Sequence, residues 1–317
     1  MSAHKKKPVP LAVGRSTAQE SSSHGSIQIS DDSQSVTLSL VSGASAKVLL
    51  YGATVVSWKI QERELLWLSE ASALDGSKAV RGGIPLVFPV FGPPPAGTAV
   101  EKLAQHGFAR TSKWNLLGRV EEETEGDKGV RVDFGLSSDS LDDETKAKWP
   151  YEFGLIYSVT LRESTLETKM VVQNPGSAAF EFNVLFHTYL RIPDVSTIGV
   201  QGLNSLTYRD KTLGGTEHQE SSDVIKIASQ TDRVYKSAPD AITVLEDDKP
   251  LYTVTKTGLN DVVLWNPYSD GAEKIGDWEP KEGYKNMVCV EAGSVADWQT
   301  LEQESTWEGG VTHKAHL

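Results

Sequence analysis

Leu155-Ile156-Tyr157-Ser158-Val159-Thr160-Leu161-Arg162-Glu163-Ser164-Thr165-Leu166-Glu167-Thr168-Lys169-Met170-Val171-Val172 is the stretch whose reading decides the fold class. Two strand-like runs, Leu155–Leu161 and Leu166–Val172, flank a short polar break, which predicts a hairpin turning at Glu163-Ser164. The pattern extends in both directions. Upstream, Val36, Leu38 and Leu40 alternate with Ser35, Thr37 and Ser39, the period of a half-buried strand. Similar runs occur at 48–51, 55–60, 130–136, 180–190, 252–256, 262–265 and 287–291, separated by turn signals. Helical periodicity is nearly absent; Leu141–Lys148 is at most a short helix, stopped by Pro150. Many strands without intervening helices predict an all-β chain, a large antiparallel β-sandwich. No fixed-period repeat points to a propeller.

The chain has 317 residues, 38% of them hydrophobic and eight of them Trp, enough to fill the core of one large β domain. Residues 1–28 are rich in Ser, Lys, Gln and Ala with little to bury, so a disordered tail is expected there and one domain over 29–317. Lys5-Lys6-Lys7 reads as a solvated terminus rather than an address. No apolar run reaches the roughly 18 residues of a membrane span. The net charge of -12 argues against nucleic acid as a partner, since such binders draw most of their affinity from basic surface. It also means that an anionic ligand must be captured by a local cluster of Arg and backbone donors. Cys289, the one cysteine, excludes an internal disulfide, fits a cytoplasmic location, and reads as an inert core residue in Met287-Val288-Cys289-Val290.

Outward from the hairpin lie the residues able to do chemistry. Arg81-Gly82-Gly83-Ile84-Pro85-Leu86-Val87-Phe88-Pro89-Val90-Phe91-Gly92-Pro93-Pro94 packs an arginine and several Gly and Pro residues into an otherwise apolar run. Such a run is a shaped, rigid loop in which Gly82-Gly83 lets the backbone beside Arg81 approach another group closely, making Arg81 a candidate anion ligand. In Phe180–Tyr189, Phe180, Phe182, Val184 and Phe186 share one face, which places Glu181, Asn183, Leu185, His187 and Tyr189 on the other. A lone His on a strand is more often structural than catalytic, and Glu291, at the end of an apolar run, could equally be an ordinary strand-end charge. On the same footing Asp232 reads as surface charge or ligand, and Arg110 as a structural ion pair or an anion site. The seven histidines show none of the close spacings that mark zinc, and His313-Lys314-Ala315-His316 falls near an expected frayed end, so no metal is expected. No Gly-x-Ser-x-Gly is present, and Gly214-Gly215 lacks the Lys-Ser/Thr of a nucleotide phosphate loop.

Six segments, taken in order, carry a resemblance: Arg81–Pro85, Leu103-Ala104-Gln105-His106-Gly107-Phe108-Ala109-Arg110, Phe186–Tyr189, Thr231-Asp232-Arg233-Val234-Tyr235, Val263–Pro267 and Cys289–Gly293. Together they resemble the aldose 1-epimerase (mutarotase) superfamily, and within it the glucose-6-phosphate 1-epimerase branch, over roughly residues 35–315. The resemblance implies a sandwich of the galactose mutarotase type that interconverts α and β anomers of hexose 6-phosphates. It makes His187 the general acid and Glu291 the general base, with Gln105, His106 and Asp232 holding sugar hydroxyls and Arg81 and Arg110 the phosphate. A base takes the proton of the anomeric hydroxyl as an acid protonates the ring oxygen; the opened aldehyde rotates and recloses, with no cofactor required. A monomer is expected. Alternatives are the same chemistry on free aldoses and a catalytically idle carbohydrate-binding protein. A glycosidase, which needs two flanking carboxylates, fits less well.

Overall fold

The computed structural model describes residues 19–21, 24–120 and 129–317. Among them, the strands form three antiparallel sheets of six, nine and eight strands. The hairpin that opens the reading sits inside the nine-stranded sheet. Gly154–Leu161 pairs with Thr165–Gln173 in a register that closes at Leu161 opposite Leu166, and the Arg162 N–H donates to the Thr165 carbonyl at 2.9 Å, leaving Glu163-Ser164 at the turn. Along Thr165–Gln173 burial alternates strictly: Leu166, Thr168, Met170 and Val172 face the core and the residues between them do not. Period two in the sequence has become one buried face of a sheet.

The other face of the sandwich is the eight-stranded sheet, centred on Asp261–Asn266, Met287–Leu301 and Phe180–Phe186. Phe180, Phe182, Val184 and Phe186 enter the same hydrophobic core as Tyr157, Leu166 and Met170 of the nine-stranded sheet, so the two layers close on each other. Asp143–Lys148 forms the short helix, capped by Asp142, whose side chain accepts the Thr145 N–H.

Three expectations need correction. The tail expected over 1–28 lies largely outside the described residues, but Gln19–Ser21 and Gly25–Ile29 are strands, and Ile27 is fully buried because it faces the core. The run expected at 180–190 is two strands, Phe180–Phe186 and Tyr189–Arg191, interrupted at His187-Thr188. His313 is not near a frayed end: it is fully buried in Thr306–Ala315, an interior strand of the nine-stranded sheet paired on both sides. No helix among the described residues is long and apolar enough to cross a membrane.

Candidate active site

The eight-stranded sheet builds the site from two cross-strand rows. One row runs Asp232, Trp265, Cys289, Tyr189; the next, two residues along each strand, runs Val234, Val263, Glu291. Residues two apart on a strand share a face, so Asp232, Trp265, Cys289 and Glu291 all point to one side. Phe186 pairs with Ala292, and the next position in that register puts His187 across from Glu291. The result is a His187 Nδ1 to Glu291 Oε1 distance of 3.3 Å.

The proline-rich loop supplies the wall over this face. Leu86 and Val87 pair with Phe186 and Leu185, the His187 N–H donates to the Pro85 carbonyl at 3.0 Å, and the Tyr189 N–H to the Gly83 carbonyl at 2.9 Å. Gly83 has φ +66°, and a Cβ there would stand 2.1 Å from the Val55 carbonyl oxygen, so only glycine lets the chain pass this close. Arg81 emerges just before it, with Nε donating to Asp277 Oδ1 at 3.1 Å. A second loop is pressed down the same way at Gly107, φ +71°, where a Cβ would meet the Phe88 carbonyl oxygen at 2.1 Å. That contact presents Gln105 and His106. The His106 Nδ1 accepts the Gly92 N–H at 3.2 Å, and burial drives its pKa down to about 3, so the neutral ring carries its proton on Nε2 as a donor.

Arg81, Gln105, His106, His187, Asp232 and Glu291 all line one cavity of about 240 Å³. Arg110 does not line it: its Nη2 donates to the Gln105 carbonyl at 2.9 Å and so buttresses the loop, while its charge still acts on His106 and His187. Five further residues, Phe91, Lys211, Val263, Trp265 and Ile275, line it without having been assigned a role from the sequence. Lys211 reaches Asp232 Oδ2 at 3.2 Å and lies over the Phe91 ring at 4.8 Å; Trp265 stands edge-on to His187. Nothing in the polar stretch around Lys211 marks it, because it comes to the cavity through the pairing of Thr207–Asp210 with Thr231–Tyr235. Arg81, Arg110 and Lys211 thus place three positive charges about a cavity in a chain that is negative overall.

Burial dominates the titration of the central pair. It pushes His187 well below the usual imidazole range, helped by His106 and by the Arg110, Arg81 and Lys211 charges. It pushes Glu291 well above the carboxylate range, with Asp232 adding in the same direction. Both groups therefore lean to their neutral forms within contact of one another, and Glu291 Oε2 is buried without a hydrogen-bond partner among the described residues. A donor and an acceptor so coupled, opening on a cavity with a neutral imidazole donor, a carboxylate and an arginine, can pass protons to and from a small polyhydroxylated molecule.

The aldose 1-epimerase family model matches residues 34–314. A protein of Cenchrus ciliaris with the provisional name glucose-6-phosphate 1-epimerase is 32% identical over 275 residues, covering 85% of this chain and 81% of its own. One of Escherichia coli K12 with the same provisional name is 31% identical over 263 residues, covering 82% and 83%. A crystal structure of a provisionally named mutarotase from Salmonella typhimurium superposes with a TM-score of 0.78 at 26% identity, covering 94% of this chain and 96% of that one.

Proposed function

Because the chain belongs to the aldose 1-epimerase family, we propose that it interconverts the α and β anomers of hexose 6-phosphates, glucose 6-phosphate first, through His187 and Glu291. The observation that carries the reading is the 3.3 Å contact between these two side chains on the wall of a cavity that also presents Arg81. Glu291 takes the proton from the anomeric hydroxyl and His187 gives one to the ring oxygen, which breaks the bond between ring oxygen and anomeric carbon. After rotation of the aldehyde, His187 takes its proton back and Glu291 returns the other, closing the ring on the opposite face.

This direction of transfer asks the imidazole to hold a proton, whereas burial and the neighbouring cations hold it neutral. Passing the Glu291 proton to His187 across their 3.3 Å contact gives the imidazolium and carboxylate that this direction needs, and a phosphate beside Arg81 offsets the cations that add to the effect of burial on His187. Arg81 is oriented by Asp277, which holds its Nε, and by a side-chain hydrogen bond with Tyr189, and its planar fork faces the cavity where such an anion would sit. Arg110 adds positive charge from behind the Gln105 loop and secures that loop. The Gln105 amide and the His106 ring, 3.3 Å apart, then serve sugar hydroxyls from one wall, and Asp232, steadied by Lys211, from the other. A single unit that takes in the strands Gln19–Ser21 and Gly25–Ile29, acting as a monomer in the cytoplasm, goes with this reading.

Exchange NMR on equilibrated glucose and glucose 6-phosphate, with and without the protein, tests the assignment. Accelerated exchange of the phosphorylated sugar above the free one is expected. Acceleration of free glucose alone would shift the reading to a free-aldose epimerase, and acceleration of neither would leave a binding protein.

A further inference from the structure

The strand that carries Glu291 brings a thiol to the same pair. Cys289 stands two residues earlier, on the same face, and its Sγ lies 3.8 Å from His187 Nδ1, which is itself 3.3 Å from Glu291 Oε1. The three ligand atoms offered by His187, Cys289 and Glu291 all lie within 4.8 Å of one another. A tetrahedral zinc ion, with bonds of about 2.3 Å to sulfur and 2.0–2.2 Å to nitrogen and oxygen, sets its ligand atoms roughly 3.3–3.6 Å apart. Small side-chain rotations therefore close this triad on a metal. An independent observation points the same way: Glu291 Oε2, on a residue only 1% exposed, has no hydrogen-bond partner among the described residues.

The donor set is selective. A thiolate and an imidazole favour zinc and similar soft cations, while magnesium and calcium prefer oxygen ligands alone. Three protein ligands with the fourth position toward the cavity is the open arrangement zinc adopts where a small molecule can join it. The register of the sheet fixes the donors, since Cys289 pairs with Tyr189 and Phe186 with Ala292, on either side of His187 and Glu291. Spacing along the chain gave no sign of such a site because the ligands come from strands about a hundred residues apart.

We propose that His187, Cys289 and Glu291 form an inhibitory site for a thiophilic divalent cation, zinc first, which silences the protein by ligating both members of the catalytic pair. Binding forms one metal–sulfur, one metal–nitrogen and one metal–oxygen bond. The Cys289 thiol proton and any proton shared between His187 and Glu291 leave to solvent, and nothing is oxidised or reduced. The inhibitory half of the proposal rests on the roles given to His187 and Glu291; the binding half does not.

The test titrates the full chain with Zn²⁺ alone against a competing chelator and follows anomerisation of glucose 6-phosphate in parallel, in wild type, Cys289→Ala and Cys289→Ser. One zinc per chain is expected, with activity falling in step with occupancy. Cys289→Ala should bind zinc at least about 100-fold more weakly, since losing even a supporting contact to a metal ligand costs 10- to 100-fold, and its inhibition is read against its own metal-free rate. Co²⁺ bound to wild type should show a sulfur-to-metal charge-transfer band in the near ultraviolet that both variants lack. This spectral arm needs no turnover, so its failure is distinct from failure of the proposed reaction. Equal zinc affinity in wild type and either variant, or bound Co²⁺ without the sulfur band, would overturn the site. Zinc bound with the band present but anomerisation unimpaired would overturn the inhibition.

Discussion

Replacing Arg81 with Ala separates recognition of a phosphate from recognition of a sugar. The guanidinium is about a quarter exposed and already tied to Asp277, itself 28% exposed, so a phosphate meets a cation that is held in place but shared. Charge-assisted hydrogen bonds contribute about 1.5–3 kcal/mol, and sharing with Asp277 places Arg81 toward the lower part of that range. A loss of about 2 kcal/mol is about 30-fold in kcat/KM toward glucose 6-phosphate. The variant also leaves the Asp277 carboxylate unpaired beside the site, which repels the phosphate further. Free glucose makes no such contact and should exchange at a nearly unchanged rate. Arg81→Lys should recover part of the loss, because it restores charge without the planar fork. The assay is exchange NMR on both sugars at matched concentrations. An equal proportional loss on the two sugars would refute the reasoning and make Arg81 a holder of the loop or of a hydroxyl.

Two further substitutions probe the frame around the site. Gly83→Ala forces a Cβ to 2.1 Å from the Val55 carbonyl at φ +66°, so strain of about 1–3 kcal/mol should lower the melting temperature by several degrees, with loss of activity as Arg81 and the Tyr189 contact shift. A wild-type melting curve would show that the loop yields. His313 is fully buried and its pKa is driven down to about 4 by burial, whereas an unfolded chain protonates His near 6.5. Its contribution to stability is therefore complete above pH 6.5 and is lost as the pH falls toward 4, up to about 3 kcal/mol. Chemical denaturation across that window should show a shallower decline in His313→Leu than in wild type, and parallel curves would assign the acid sensitivity to other groups.

Much of the fold was legible in the strand runs: Leu166–Val172 keeps period two because one face is buried, whereas Leu155–Leu161, buried at nearly every residue, showed itself by its apolar run and its pairing partner. The C-terminal strands were harder. Met287–Leu301 runs ten residues past Glu291 through polar positions such as Asp297 and Gln299, because its far end passes to the surface while its pairing continues to Phe180. Thr306–Ala315 was hidden by Lys314 and two histidines, whose polarity suggested solvent although His313 packs inward. At the site, the residues with a motif around them came together on one cavity. Arg110 turned out to act through the Gln105 loop rather than on the lining, a distinction of side-chain direction that sequence does not carry. Lys211 has no local signal, and Cys289 read only as a core residue; sheet register brings one to Asp232 and the other to His187.

Anomerisation rests on the pair formed across the sheet by His187 and Glu291. Its most direct test is the rate at which His187→Asn exchanges the anomers of glucose 6-phosphate, measured by NMR beside wild type on samples with matching melting curves. Loss of a positioned acid should lower the enzymatic rate by about 10²- to 10⁴-fold while the fold stays intact. A folded His187→Asn protein that exchanges the anomers as fast as wild type would contradict the account.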